Sequence, residues 1–168
     1  LDLVADSAVN AGFGSAGERC MAISVLVAVE PVADELIEKI ASRMSGLTVG
    51  DGRRACDMGP LITKEHRDKV SGYIDIAIED GATVVVDGRG IEVDGAADGF
   101  WLGPTLIDAV PTDSRVSTDE IFGPVLSVVL VASYDEGVAL INELCYGYGT
   151  ALFNNYGGAG RPFPLLVP

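Results

Sequence analysis

Short apolar runs alternate with longer amphipathic stretches along this chain, and this alternation restricts the fold more than any other feature. The runs that have the length and composition of buried strands are Met21–Val29, Thr83–Val86 and Val125–Ala132. Between them, apolar side chains recur at helical spacing, as in residues 36–44 and 64–80. The pattern predicts an α/β fold in three layers (αβα), in which helices cover both faces of a largely parallel sheet.

Further elements are predicted near the two ends of the chain. Residues 1–13 have the apolar spacing of a helix, and a capping box from Ser133 to Glu136 opens another helix that extends to about Leu144. A last strand is predicted over Thr150–Phe153, whereas the stretch from 156 to 168 contains nothing that resembles a packed element. We therefore expect one domain, and an irregular or truncated tail beyond it.

Charge and cysteine usage exclude several classes of function. The chain has 25 acidic and 11 basic side chains, a formal net charge of −14, which argues against nucleic acid or an anionic membrane surface as a partner. No apolar run approaches the roughly 20 residues that a membrane span requires. Three cysteines are too few, and an odd number, for a disulfide scaffold, and this favours a reducing compartment such as the cytoplasm.

Cys20 is the strongest candidate for a catalytic side chain. It lies between a glycine-rich loop and an apolar strand, where a side chain can project from a rigid scaffold into a cleft. The neighbouring Arg19 favours a thiolate, which is the working form of a cysteine nucleophile. The alternative is an inert, buried small hydrophobe at the start of a strand, and position alone favours that alternative.

His66 is the only histidine, and it lies in the predicted first turn of the helix over 64–80. A Cys20–His66 dyad of the thiol-hydrolase type is conceivable, although a solvated helix residue is the more common case. Neither His66 nor Cys56 or Cys145 has ligand-like spacing to Cys20, so no metal site is expected.

A second group of candidates precedes the strand at Val125. Glu120 and Phe122 stand beside a Gly-Pro turn, where a carboxylate and an aromatic ring suit a cofactor pocket. From the residues alone, a solvated acidic turn with Phe122 packed in the core is the simpler interpretation. No phosphate-binding glycine motif follows a strand in this chain.

Together, however, the two groups resemble the NAD-dependent aldehyde dehydrogenase superfamily. Phe13 to Ala22 matches its cysteine signature: an aromatic or aliphatic residue, three positions, Gly, Gln or Glu, any residue, Cys, and a small residue two positions later. Glu120 to Val125 resembles its second hallmark at about the right distance. The string from Gly14 to Ser24, with Asp57 to Pro60, is similar to the methylmalonate-semialdehyde dehydrogenase branch. The resemblance makes residues 1–155 the cysteine-bearing catalytic domain and leaves 156–168 as the tail.

The resemblance implies a role for each candidate residue. Cys20 would attack the aldehyde carbonyl, with its backbone N–H as one oxyanion donor, and would hold the acyl group as a thioester after hydride transfer to NAD. Glu120 would hold the nicotinamide ribose, and Phe122 would pack near the nicotinamide ring. Arg19 would bind the substrate carboxylate, a group that a guanidinium recognises bidentately.

The activity implied is NAD-dependent oxidation of methylmalonate or malonate semialdehyde. Coenzyme A would take the acyl group, and loss of carbon dioxide would give propionyl-CoA or acetyl-CoA. The family's nucleotide-binding domain, with an asparagine oxyanion donor, is absent from this chain, so the isolated chain is expected to be inactive. The full-length protein is expected to be a homo-oligomer.

Two rival functions remain open from the sequence. One is a hydrolytic aldehyde dehydrogenase that acts on another substrate and does not form a thioester with coenzyme A. The other is a catalytically dead domain kept for interaction or structure, in which Cys20 would resist alkylation.

Overall fold

The computed structural model describes residues 1–144 and 149–167. Within them the chain forms four strands and seven helices, several of which are single turns. In chain order they are α1 (Asp2–Phe13), β1 (Val25–Val29), α2 (Glu30–Met44), α3 (Lys64–Glu79), β2 (Thr83–Val86), β3 (Thr105–Asp108), α4 (Arg115–Thr118), β4 (Val125–Val131), α5 (Tyr134–Glu143), α6 (Gly157–Gly160) and α7 (Phe163–Leu166).

The four strands form one mixed sheet in the order β1-β4-β3-β2. β4 lies in the centre and is parallel to both β1 and β3, whereas β2 pairs antiparallel with β3 at the edge. Ser127 of β4 is in register with Val25 on one side and Ile107 on the other. The predicted, largely parallel sheet is confirmed.

Helices cover both faces of this sheet. Leu126 and Val131 of β4 are five residues apart, so their side chains point to opposite faces. Gly12 of α1 approaches Leu126, whereas Gly137 of α5 approaches Val131. Because α1 packs on one face and α5 on the other, the predicted three-layer αβα architecture is confirmed.

The helix boundaries follow local sequence signals. At the start of α5, the Ser133 hydroxyl accepts a hydrogen bond from the N–H of Glu136 at 3.2 Å, as the capping box predicts. The Glu136 carboxylate reaches back to the N–H of Ala132 at 2.7 Å, one residue earlier than in the standard box. No helix among the described residues is long and apolar enough to cross a membrane.

Three strand predictions need correction. β1 begins at Val25 rather than Met21, because the Ile23 N–H donates to the Ala11 carbonyl of α1 instead of to a neighbouring strand. β2 was expected to be buried, but its residues alternate between exposed and half-buried, since it is an edge strand. Thr150–Phe153 is not a strand, and three of its four side chains are exposed.

The tail is more regular than the sequence suggests. Residues 157–160 and 163–166 each form a single helical turn, but neither turn buries a residue. The hydrogen bond from the Tyr134 hydroxyl to the Ala159 carbonyl, at 3.1 Å, connects this segment to α5. The tail therefore has local structure without adding to the hydrophobic core.

Candidate active site

Cys20 lies in a tight turn between α1 and β1, and its side chain is exposed. A hydrogen bond of 3.1 Å from the Ala22 N–H to the Arg19 carbonyl closes this turn. The turn follows a short non-helical segment, Gly14–Gly17, at the end of α1. The packed core on either side thus presents the thiol at the surface, and the expectation of a buried side chain at this position is wrong.

The backbone before Cys20 is strained. Ser15, Ala16 and Gly17 have φ angles of +54°, +55° and +69°, three consecutive residues in the left-handed region. Residues with a Cβ rarely adopt this region, and such strain persists only where the surrounding structure imposes it. The loop is therefore held in a specific shape by its neighbours.

The nearest of those neighbours is the second candidate segment. A Cβ added at Gly17 would lie 2.3 Å from the carbonyl oxygen of Gly123 and 2.6 Å from its carbonyl carbon. The backbones of the two motifs therefore abut directly, and only glycine fits at position 17. Residues more than 100 positions apart in the sequence thus form one site, named here the cysteine–glutamate site: the turn 14–22 and the segment 119–124.

Glu120 and Phe122 both face outward from this segment. Glu120 is exposed, and its carboxylate accepts no hydrogen bond from any described residue. The Phe122 side chain is 38% exposed, and its φ of +57° is a strained conformation for a bulky residue. Of the simpler interpretation, a solvated acidic turn with Phe122 packed in the core, the position of Phe122 is therefore wrong, whereas Glu120 is exposed to solvent.

The segment is anchored to α3 by a partly buried polar contact. The Tyr73 hydroxyl donates to the Asp119 carboxylate at 2.9 Å, and the Arg115 guanidinium donates to the same oxygen at 3.0 Å. These two bonds, that from Tyr73 first, hold the pKa of Asp119 below its usual range. Burial, followed by the bond to the carboxylate, raises the pKa of the Tyr73 hydroxyl.

His66 contacts both parts of the site. Its Nε2 lies 2.6 Å from the carbonyl oxygen of Phe122 and 3.4 Å from a carboxylate oxygen of Glu18. The His66 side chain is 23% exposed and that of Glu18 only 8%. His66 is therefore not a solvated helix residue, and its Nε2 is occupied by the Phe122 carbonyl, which argues against a Cys20–His66 dyad.

Arg19 is exposed and folds back onto the C-terminal end of α1. Its Nη2 donates to the carbonyl oxygens of Asn10 at 2.7 Å and Ala11 at 3.2 Å. A guanidinium is favourable there, because the last carbonyls of a helix carry partial negative charge. Both bonds use Nη2, so the N–H groups on Nη1 and Nε remain available to another ligand.

The sequence analysis missed the parts played by Glu18, His66 and Gly17. Glu18 and Gly17 stand in the cysteine signature, but the signature does not say what they contact. Among the described residues, no three His, Cys, Asp or Glu side chains are grouped as a metal site would require. Cys56 is half-buried, and Cys145 lies outside the described residues.

Comparison with known proteins places the chain in a family. A model of the aldehyde dehydrogenase family matches residues 1–159. The chain is 47% identical over 165 residues to the malonate-semialdehyde dehydrogenase of Pseudomonas aeruginosa, an alignment that covers 97% of this chain and 33% of that protein. The chain thus spans about a third of the length of the curated relatives it matches.

Solved structures give the same result. The methylmalonate-semialdehyde dehydrogenase of Oceanimonas doudoroffii superposes with a TM-score of 0.95 at 45% identity, over 99% of this chain and 34% of that one. The betaine aldehyde dehydrogenase of Staphylococcus aureus, solved in complex with NAD+, gives a TM-score of 0.93 at 31% identity, over 99% of this chain and 33% of that one. Since the family model covers nearly all of the chain and both signature motifs meet in one site, the chain belongs to the aldehyde dehydrogenase family.

Proposed function

We propose that the protein carrying this chain oxidises a carboxylate-bearing semialdehyde, methylmalonate or malonate semialdehyde, with NAD as the hydride acceptor and coenzyme A as the acyl acceptor. The observation that supports this most strongly is the close contact between the turn of Cys20 and the segment of Glu120 and Phe122. That contact brings the turn of the proposed nucleophile against the segment that carries an exposed carboxylate and an exposed aromatic ring. Relatives named for semialdehyde oxidation support the substrate class.

Cys20 is the proposed nucleophile. Its thiolate adds to the aldehyde carbon and the carbonyl oxygen becomes an oxyanion. The backbone N–H of Cys20 donates to no described residue, which leaves it available to stabilise that oxyanion. Loss of hydride from the same carbon leaves the acyl group on Cys20 as a thioester.

The exposed side chains of the second segment fit a dinucleotide. Glu120 has two carboxylate oxygens available for ribose hydroxyls, and Phe122 has an exposed ring face for a planar heterocycle. When bound, NAD supplies the hydride acceptor. We propose that Glu120 and Phe122 orient its nicotinamide half relative to Cys20.

The thioester then passes to coenzyme A. The thiolate of coenzyme A attacks the thioester carbonyl, the C–S bond to Cys20 breaks, and the Cys20 thiolate is released for the next cycle. The carboxylate of the transferred acyl group leaves as carbon dioxide and a proton replaces it, which gives propionyl-CoA or acetyl-CoA. A hydrolytic member of the family would use water at the transfer step instead.

The test is an assay for NADH formation by the purified protein that carries this chain. Denaturing mass spectrometry first shows whether the polypeptide is close to 17.5 kDa or larger. With methylmalonate or malonate semialdehyde, we expect NADH formation to depend on coenzyme A and to yield a short acyl-CoA. NADH formation with a free acid as the product and no need for coenzyme A would favour the hydrolytic alternative, and no NADH from a larger polypeptide would contradict the proposal.

Arg19→Ala is expected to weaken turnover of a carboxylate-bearing aldehyde much more than turnover of propanal. The proposed partner of the guanidinium is the substrate carboxylate, and a hydrogen bond to a charged group contributes about 1.5–3 kcal/mol. The expected loss in kcat/KM is therefore roughly 10- to 100-fold for the semialdehyde, with a small change for propanal.

Arg19 also caps α1, so its removal has a structural effect that must be separated from binding. Arg43→Ala provides the matched control, because Arg43 pairs with Asp2 and Asp6 of the same helix, outside the cysteine–glutamate site. It should affect both aldehydes equally. Equal losses on both aldehydes in Arg19→Ala would remove the proposed carboxylate role.

A further inference from the structure

One face of α3 lies along the whole second segment of the cysteine–glutamate site. His66, Val70 and Tyr73 are spaced at i, i+4 and i+7, so they lie on the same side of the helix. Tyr73 bonds to Asp119, and His66 bonds to the Phe122 carbonyl. This face therefore contacts the segment at two points on either side of Glu120.

Val70 packs against the segment between those two hydrogen bonds. It is fully buried, and a Cβ added at Gly123 would lie 2.7 Å from both of its methyl carbons. The turn at Gly123 therefore has little room to move towards α3. The helix supports this turn by packing and is hydrogen-bonded to the Phe122 carbonyl and to the Asp119 side chain.

The hydrogen bond from His66 is made to the most strained residue of the segment 119–124. Phe122 has a φ of +57°, and a bulky residue keeps such a conformation only where its surroundings impose it. The His66 ring meets the Phe122 ring edge-on, at 6.4 Å between centroids and 61° between planes. The imidazole thus holds both the peptide group and the side chain of Phe122.

The same nitrogen faces the cysteine turn. Nε2 is 3.4 Å from the carboxylate of Glu18, which is almost fully buried and lies two residues before Cys20. Since the carbonyl of Phe122 accepts only, Nε2 must carry the proton in this bond. His66 is therefore the side chain that contacts both motifs.

We propose that His66 is a positioning residue. Its Nε2–H fixes the strained Phe122 peptide, and its contact with Glu18 keeps Glu120 and Phe122 in a fixed position relative to Cys20. The consequence for catalysis rests on the proposed function, because Glu120 and Phe122 matter for turnover only if they orient NAD. The hydrogen bond itself does not depend on the reaction, so it is tested separately.

The bond is tested by the protonation pattern of the imidazole. In a long-range ¹H–¹⁵N spectrum of the histidine-labelled protein that carries this chain, the imidazole signals of His66 are those that are missing from the spectrum of His66→Gln. For the neutral imidazole we expect the Nε2–H tautomer alone. The Nδ1–H tautomer, or the averaged mixture of a free imidazole, would overturn the proposal without reference to any activity.

The positioning role is tested by two substitutions at one site. His66→Ala removes the donor, and His66→Gln keeps an N–H donor at a similar distance along the side chain. We expect His66→Ala to raise KM for NAD about tenfold, with a smaller effect on kcat, and His66→Gln to recover most of that loss. A side chain needed only for folding would reduce the amount of active protein and leave KM unchanged.

Glu65→Ala is the matched control, because Glu65 is the preceding residue of α3, is exposed and has no hydrogen-bond partner among the described residues. Its KM for NAD should equal that of the unsubstituted protein. An unchanged KM in His66→Ala, or no recovery in His66→Gln, would overturn the positioning role. If the unsubstituted protein forms no NADH, the proposed function fails, and the tautomer measurement still decides whether His66 holds Phe122.

Discussion

Cys20→Ser is expected to lower turnover of the protein that carries this chain by at least about 10³-fold. The proposed reaction forms a covalent bond from Cys20 to the substrate, and a serine hydroxyl without an adjacent base is a far weaker nucleophile than a thiolate. The substitution replaces one sulfur atom with oxygen in an exposed turn, so the fold should be unaffected. The measurement is kcat for NADH formation, together with the thermal unfolding midpoint.

Cys56→Ser provides the matched control. Cys56 packs against Gly50, and it lies outside the cysteine–glutamate site. This variant should keep the turnover of the unsubstituted protein. The two cysteines should also differ in alkylation by iodoacetamide near neutral pH, with Cys20 modified first because it is exposed and Cys56 is half-buried.

A catalytically dead domain predicts a different pair of results. In that case Cys20→Ser would leave every measured property of the protein unchanged, and Cys20 would resist alkylation near neutral pH although it is exposed. Loss of turnover in both serine variants would instead indicate a general structural effect. Only selective loss in Cys20→Ser supports the proposed nucleophile.

The fold could be predicted from the sequence where the signal is local. The periodicity over 64–80 and the capping box at Ser133 gave helices with correct limits to within a residue or two, because spacing and caps act within a few turns. β2 shows the limit of this approach. Its Val-rich composition suits a buried strand, but whether a strand lies inside or at the edge depends on which strands flank it, and that is a property of the whole sheet.

The candidate site was likewise predicted only in part: the residues in sequence motifs could be identified, whereas the contacts between distant segments could not. Cys20 and Glu120 were identified from motifs, yet nothing in their local sequence predicts that Gly17 contacts Gly123 or that His66 reaches Phe122. Those contacts depend on how α3 and the sheet bring distant segments together. Sequence alone favoured a solvated His66, because most histidines in the first turn of a surface helix face water.

Gly17→Ala is expected to be strongly destabilising for a change that adds a single methyl group. A Cβ at position 17 would collide with the backbone of Gly123, which cannot rotate away as a side chain can, and the φ of +69° is strained for alanine. The left-handed conformation costs about 1–2 kcal/mol and overpacking about 1–3 kcal/mol. The expected loss is thus about 2–5 kcal/mol, or roughly 4–20 °C in Tm for a domain of this size.

Substitutions at two other glycines separate the conformational part of this free-energy cost from the steric part. Gly81 has a φ of +87° and open space around it, so Gly81→Ala carries the conformational cost alone, about 1–2 kcal/mol. Gly72 lies inside α3 with open space and no positive φ, so Gly72→Ala should stabilise the chain by about 0.5–1 kcal/mol. Urea unfolding of the three variants, followed by circular dichroism, gives each free energy of unfolding.

The order of the three values decides whether the two motifs truly abut. If Gly17→Ala costs no more than Gly81→Ala, then the collision with Gly123 does not occur in solution and the cysteine–glutamate site is looser than described. A cost well beyond that of Gly81→Ala confirms the contact. Because that contact joins the turn of Cys20 to the segment of Glu120 and Phe122, Gly17→Ala should also lower turnover at temperatures where the variant is still folded, although position 17 carries no reactive group.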